Sequence, residues 1–321
     1  MKAKLILRAV FLVSVVLSLV SCASTAGKGA GQGHDYRTFY ADGHIDYGKI
    51  GDSYKADLVV YLAGNQFMVM EDLIKDFQRR HPKISSVYVE TIPPGKILNK
   101  QILMQGEING QKTNQNPDLY ASVNLKHLDK LKKAGKMNHY MTYAHNKLEL
   151  MVAQGNPKHI KGVRDLGRDD LVQSQPNPLT EGIFKFYGSE MLKELGLYQK
   201  VTAGKKCQSC WAVPGKTWFT SRHHRETPYR IENGQADVGI VWTTEVVHAK
   251  AEGRKIDGLA IPAPYNMQSK VNYVMGKLTT GKNQANADIF LNYMASNAAQ
   301  DIYASHGFGK ASKKERQVKK L

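Results

Sequence analysis

At 321 residues the chain is longer than one hydrophobic core comfortably fills, so two domains are expected. Hydrophobic residues at 42% and charged residues at 23% exclude a mainly disordered chain, and three cysteines exclude a disulfide scaffold. Against 28 Asp and Glu stand 45 Lys and Arg, a formal net charge of +17, which fits a nucleic-acid binder, an anion-handling protein or a secreted protein with basic ends.

The N-terminus separates these classes. Lys2, Lys4 and Arg8 precede an apolar run from Ala9 to Val20, too short to span a bilayer and suited to a secretory signal. The run ends Leu19-Val20-Ser21-Cys22, which looks like a bacterial lipobox with Cys22 as the lipidated residue. Residues 1–21 are therefore read as a signal peptide, and 22–56 as the lipidated cysteine and a flexible tether, glycine-rich from Ser24 to Gly33. A chain exported to a lipid anchor works outside the cytoplasm, so no nucleic-acid partner is expected. No later window approaches 18 apolar residues, so no transmembrane helix is expected.

Asp57 to Ala63 is a nearly continuous apolar run, the pattern of a strand buried on both faces. Apolar residues at Phe67, Met70, Leu73, Ile74 and Phe77 predict a helix stopped by Pro82, and Val87 to Thr91 reads as the next strand. Strand, helix, strand is a βαβ unit whose functional loops lie at strand C-termini. A helix is predicted over Ile97–Gln105, a strand over Leu119–Ala121, and a helix over Leu125–Ala134 ended by Gly135. The middle of the chain starts again with a strand at Leu148–Ala153, a helix at Gly182–Leu195 closed by Gly196, a helix ending before Gly234, and a strand at Val238–Trp242. A last amphipathic helix is predicted over Ala287–Tyr303, with Ile289, Phe290, Tyr293 and Met294 on its buried face. Residues 309–321 carry Lys310, Lys313, Lys314, Arg316, Lys319 and Lys320 against Glu315 and are expected to be a solvated basic tail.

The order of phrases resembles the periplasmic substrate-binding proteins of ABC transporters, in particular the molybdate-binding-like group. The matching phrases are Leu58–Ala63, Asn116–Ala121, Leu125–Met137, Asn146–Leu166, Ile231–Glu245, Ile261-Pro262 and Ala287–Phe308. The resemblance implies a type II periplasmic-binding-protein fold, two α/β lobes joined by a two-strand hinge with a ligand cleft between them. Lobe 1 would be discontinuous, residues 57–143 plus 248–308, and lobe 2 would be residues 144–247. It implies a monomer that closes on a small anionic solute and passes it to ABC permease and ATPase subunits, with no cofactor. Hinge closure is an established motion of such proteins.

Four loops are the candidate ligand contacts under this resemblance. Asn65 and Gln66 follow the first strand, where the resembled proteins usually carry a small hydroxyl residue. Gly95 and Lys96 lie in the turn Pro93-Pro94-Gly95-Lys96, with backbone approach from the one and charge from the other. Thr180 and Glu181 lie before a helix, and Trp242 stands where the family commonly has Tyr. Lys96, Glu181 and Trp242 depart from a bare-oxyanion site and favour a larger ligand with a carboxylate or phosphate. His223, His224 and Arg225, with Arg222, form a basic cluster suited to clamping an anion.

Cys207 and Cys210, a C-x-x-C pair outside the cytoplasm, are read as a local disulfide. The spacing to His223 and His224 is a poor zinc pattern, because adjacent histidines rarely reach one ion, so no metal is expected. No nucleophile elbow, P-loop, H-E-x-x-H or paired carboxylates occur, and the chain is not expected to be an enzyme. Two other functions stay open: a sensory or adhesion lipoprotein without a permease, and a metal- or redox-handling protein centred on Cys207 and Cys210.

Overall fold

The computed structural model describes residues 34–104, 106–108, 110–221 and 226–321. The expected signal peptide, Cys22, the stretch to Gly33, and Arg222, His223, His224 and Arg225 lie outside the described residues.

In chain order the strands and longer helices are β1 (Tyr36–Tyr40), β2 (Ile45–Tyr47), β3 (Leu58–Ala63), α1 (Met70–Arg80), β4 (Ser86–Ile92), β5 (Leu119–Ser122), α2 (Leu125–Lys133) and β6 (His139–His145). There follow β7 (Leu148–Ala153), β8 (Gln173–Gln175), β9 (Cys210–Val213), β10 (Thr217–Phe219), β11 (Val238–Trp242), α3 (Thr243–Ala251) and β12 (Ile256–Ala260). The chain closes with β13 (Asn272–Lys277), α4 (Gln284–Met294), α5 (Asn297–Ser305), β14 (Gly309–Lys310) and β15 (Lys319–Lys320).

Two separate sheets build two lobes. The first runs β14-β6-β13-β5-β3-β4-β1-β2, with β15 also on β6; the second runs β9-β10-β8-β11-β7-β12. The expected βαβ unit is present: β3 and β4 pair in parallel, from Leu58 opposite Val87 to Ala63 opposite Ile92. Every residue of β3 is buried, as its unbroken apolar sequence requires. Between these strands α1 buries Met70, Leu73, Ile74 and Phe77, with Glu71 and Asp72 in its first turn and Arg79 and Arg80 in its last, complementing the helix dipole.

The chain crosses between lobes twice. Asn146 and Lys147 alone separate β6 in the first sheet from β7 in the second, and residues 261–271 lead back from β12 to β13. On each side of the crossing the two strands are antiparallel neighbours, β6 with β13 and β7 with β12. This is the two-lobe, two-crossing architecture that the resemblance implies.

Four expectations need correction. Residues 34–56 are not all tether: β1 pairs with β4 and buries Arg37, Thr38 and Phe39, because an aromatic and β-branched run completes a sheet edge better than it stays in water. Residues 248–260 belong with the second lobe, since β12 pairs along β7; its half-buried sequence IDGLA carries little strand pattern. The late helix is two helices, because the Ser296 hydroxyl accepts from the Ala299 N–H and caps α5. The basic tail is not simply solvated. Its backbone pairs with the edge strand β6, Lys319 opposite Tyr140 and Lys320 opposite His139, while Thr142 N–H donates to the Glu315 carbonyl over 3.1 Å. An edge strand leaves backbone groups to be satisfied, and lysines on the covering strand keep their charges outward.

Candidate functional site

The loop after β3 is the first expected contact. Asn65 is 3% exposed and donates through Nδ2 to the Tyr273 phenol oxygen. Gln66 is fully buried, and its Oε1 accepts from the Tyr143 and Tyr303 hydroxyls at 2.8 and 2.7 Å. Asn146, at the lobe crossing, donates to the same Tyr273 oxygen at 3.3 Å and to Thr244 Oγ1 at 3.2 Å. Desolvation raises all three phenols far above their ordinary range, so they stay neutral hydrogen-bonding groups. The Asn65 amide N–H and the Gln66 carbonyl oxygen are thus held by tyrosines of the first lobe, one of which also receives Asn146 from the crossing. Gln66 Nε2 is buried without a hydrogen-bond partner.

The second loop turns through Pro94–Lys96 as one helical turn and continues into a π-helical turn over Ile97–Ile102. Lys96 is exposed and Gly95 half-buried. Beneath them Glu90 is fully buried and accepts from Gln101 Nε2; burial pushes its carboxyl up to about 8, with the nearby Asp35 adding to the rise and Lys96 opposing it. Glu90 is therefore a neutral acid near pH 7.

Sequence reasoning missed the loop between β5 and α2. Ser122 is fully buried, and its Oγ lies 2.7 Å from Nδ1 of His127, one turn into α2. The Tyr120 hydroxyl donates to the Pro94 carbonyl at 2.8 Å and lies 3.3 Å from the same Nδ1. The imidazole thus lies against the Pro94-Gly95 turn. Burial holds its pKa down at about 4, aided by Lys130 and by Lys185 of the other lobe. A serine five residues before a histidine, at a strand-to-helix junction, was the available signal.

In the second lobe Thr180 is exposed, and its N–H and hydroxyl both donate to Asn177 Oδ1, at 2.8 and 3.0 Å. Glu181 is 4% exposed and turned inward: its Oε1 accepts from Asn177 N at 3.1 Å, from Asn177 Nδ2 at 3.0 Å and from the Thr220 hydroxyl. A carboxylate so engaged ties loop to strand, which removes the awkwardness of an acid beside a bound anion. Trp242 is 2% exposed and packs edge-on against Tyr187 with ring centroids 5.6 Å apart, a core position rather than an open cleft wall. Cys207 and Cys210 are joined as a disulfide at the half-buried start of β9. No cluster of three or more metal-binding side chains occurs among the described residues. The placement of His223, His224 and Arg225 falls outside the described residues.

The lobes meet over this region. The Tyr187 hydroxyl, from the helical turn Ile183–Gly188, donates to the Val123 carbonyl at 2.8 Å. Phe67 and His248 meet edge-to-face, centroids 5.1 Å apart, from opposite lobes. Gly95, Ser122 and His127 on one side thus lie near Lys185 and Tyr187 on the other, an arrangement suited to gripping an oxyanion with N–H donors and an ammonium group.

No curated protein sequence matches the chain. Among solved structures, the periplasmic molybdate-binding protein of Azotobacter vinelandii superposes with a TM-score of 0.62 at 21% identity, covering 79% of this chain and 100% of that one. The sulfate-binding protein SubI of Mycobacterium tuberculosis gives 0.59 at 17% identity, covering 81% and 88%. PEB3 of Campylobacter jejuni with L-phospholactate bound gives 0.55 at 14%, covering 79% and 100%. At these identities the likeness establishes the shared fold. The sequence profile of bacterial extracellular solute-binding proteins matches residues 58–309, from the first buried strand to the return of the tail, and the chain belongs to that family.

Proposed function

We propose that this protein is the substrate-binding lipoprotein of an ABC importer, anchored outside the cytoplasm through Cys22 and capturing one small anion by hinge closure. It acts as a monomer and hands its ligand to permease and ATPase subunits, which supply the energy. The observation that carries the reading is the meeting of the lobes at the β5–α2 junction, where Tyr187 bonds the Val123 carbonyl and the neutral donor His127 lies close enough to Lys185 of the other lobe for that charge to depress the imidazole. Molybdate, sulfate and L-phospholactate, the ligands named for the structural relatives, are all anions.

Size within that class favours an organic or phosphorylated anion over a bare oxyanion. Asn65, standing where a small hydroxyl donor would serve molybdate, gives its amide N–H to Tyr273, and the nearby Lys185 suits a ligand of higher local charge. A thermal-shift screen of molybdate, tungstate, sulfate, inorganic phosphate, citrate and L-phospholactate tests this. The phosphorylated or organic acids should raise the melting temperature most; a shift confined to molybdate and tungstate would assign the bare oxyanion instead.

A further inference from the structure

We propose that His127 is a ligand-binding residue, its neutral imidazole oriented by Ser122 so that Nε2–H is presented beside Gly95 to an oxygen of the bound anion. The inference rests on the anion-receptor reading above and names the group that would read the anion from the first lobe.

The tautomer follows from the hydrogen bonds. Ser122 Oγ accepts from the Asn124 N–H at 3.4 Å and lies 2.7 Å from Nδ1 of His127, which is placed to accept the hydroxyl proton. The Tyr120 proton is committed to the Pro94 carbonyl. Nδ1 is thus the acceptor of the ring and Nε2 carries the hydrogen. Among the described residues nothing accepts from Nε2, and the ring is only half-buried. Lys130 on its own helix and Lys185 from the other lobe, together with burial, keep the imidazole neutral. A neutral, fixed N–H donor costs no charge burial when the lobes close and is geometrically selective for an acceptor.

Gly95 supplies an independent argument. A Cβ built there would lie 3.6 Å from His127 Cε1 and 3.7 Å from Nε2, ordinary van der Waals distances. Its backbone is not in the left-handed region, and it sits in a short helical turn that alanine would favour. Neither conformation nor crowding requires glycine here. What its missing side chain does is leave the imidazole N–H uncovered. The acceptor that fits is a phosphate, sulfate or carboxylate oxygen, within reach of the charge of Lys185 from the other lobe.

Titration calorimetry with sulfate, inorganic phosphate, citrate and L-phospholactate, on the wild type and on His127→Ala, Gly95→Ala and Ser122→Ala, tests the assignment. For any probe the wild type binds, His127→Ala should weaken affinity about tenfold or more, the scale of one hydrogen bond to a charged group. Gly95→Ala should weaken it comparably while the melting temperature holds or rises. Ser122→Ala should weaken it less, and NMR should show the imidazole as a mixture of tautomers in place of the single Nε2–H form. A probe bound equally by the wild type, His127→Ala and Gly95→Ala would overturn the role of His127 and leave the receptor reading intact. Failure of the wild type to bind any probe would overturn both. Should His127→Ala fail to fold, Gly95→Ala decides alone.

Discussion

The phenol of Tyr187 in the second lobe donates a 2.8 Å hydrogen bond to the main-chain carbonyl of Val123 in the first. It links the helical turn Ile183–Gly188 to the β5–α2 loop that carries Ser122 and leads to His127. In a protein that works by hinge closure, a bond between lobes belongs to the closed form and is broken in the open one.

Tyr187→Phe removes this bond and keeps the ring contact with Trp242. The loss of about 1 kcal/mol from the closed form should weaken anion affinity roughly fivefold with little change in melting temperature. Calorimetry on the variant checks this, and unchanged affinity would mean the contact does not contribute to closure.

Glu90 makes stability pH-dependent in a direction opposite to most carboxylates. Its carboxyl is raised from 4.5 to about 8, so between those values the folded chain holds a proton that the unfolded chain releases. Stability should therefore fall as pH rises through that window, by an amount on the order of 3–5 kcal/mol. Glu90→Gln keeps a neutral partner for Gln101 and should flatten the profile, measured by urea unfolding at pH 5, 6.5 and 8. A wild-type profile already flat would show Glu90 to be ionised in the folded chain.

Glu181 should prove a structural residue rather than a ligand contact. Glu181→Ala strands the Asn177 N–H and amide and the Thr220 hydroxyl, and about 2–4 kcal/mol of stability should be lost. Thr180→Ala, at an exposed position, should cost less than about 1 kcal/mol. Equal melting temperatures for the two variants would contradict this division.

The disulfide separates the receptor reading from the redox one. Cys207 and Cys210 are three residues apart, so the loop they close is short and its loss should cost only about 2 kcal/mol. Replacing both by serine should leave anion binding unchanged, as judged by calorimetry. Loss of binding in the double variant would move the functional centre toward β9.

The buried strands were legible because apolar continuity in Leu58–Ala63 and Val238–Trp242 has one physical meaning, burial between two layers. The α1 helix was equally legible, since its apolar period and Pro82 agree. The path of the tail was hidden, because lysines on a strand covering an edge look the same in sequence as lysines in water. For the site, the loops were found but not the use of their side chains. Asn65, Gln66 and Glu181 are polar residues at strand ends, and a sequence does not say whether their partners are a ligand or the tyrosines, asparagine and threonine that fold brings from far along the chain. Ser122 and His127 were passed over because their meeting depends on the turn from β5 into α2.

Whether one small anion is held between the lobes is decided by titration calorimetry of the wild-type protein with phosphate, sulfate, citrate and L-phospholactate alongside a neutral sugar. Saturable one-to-one heat is expected for at least one anion and none for the sugar. Saturable binding of the sugar, or no saturable heat from any anion, would contradict the anion-receptor reading.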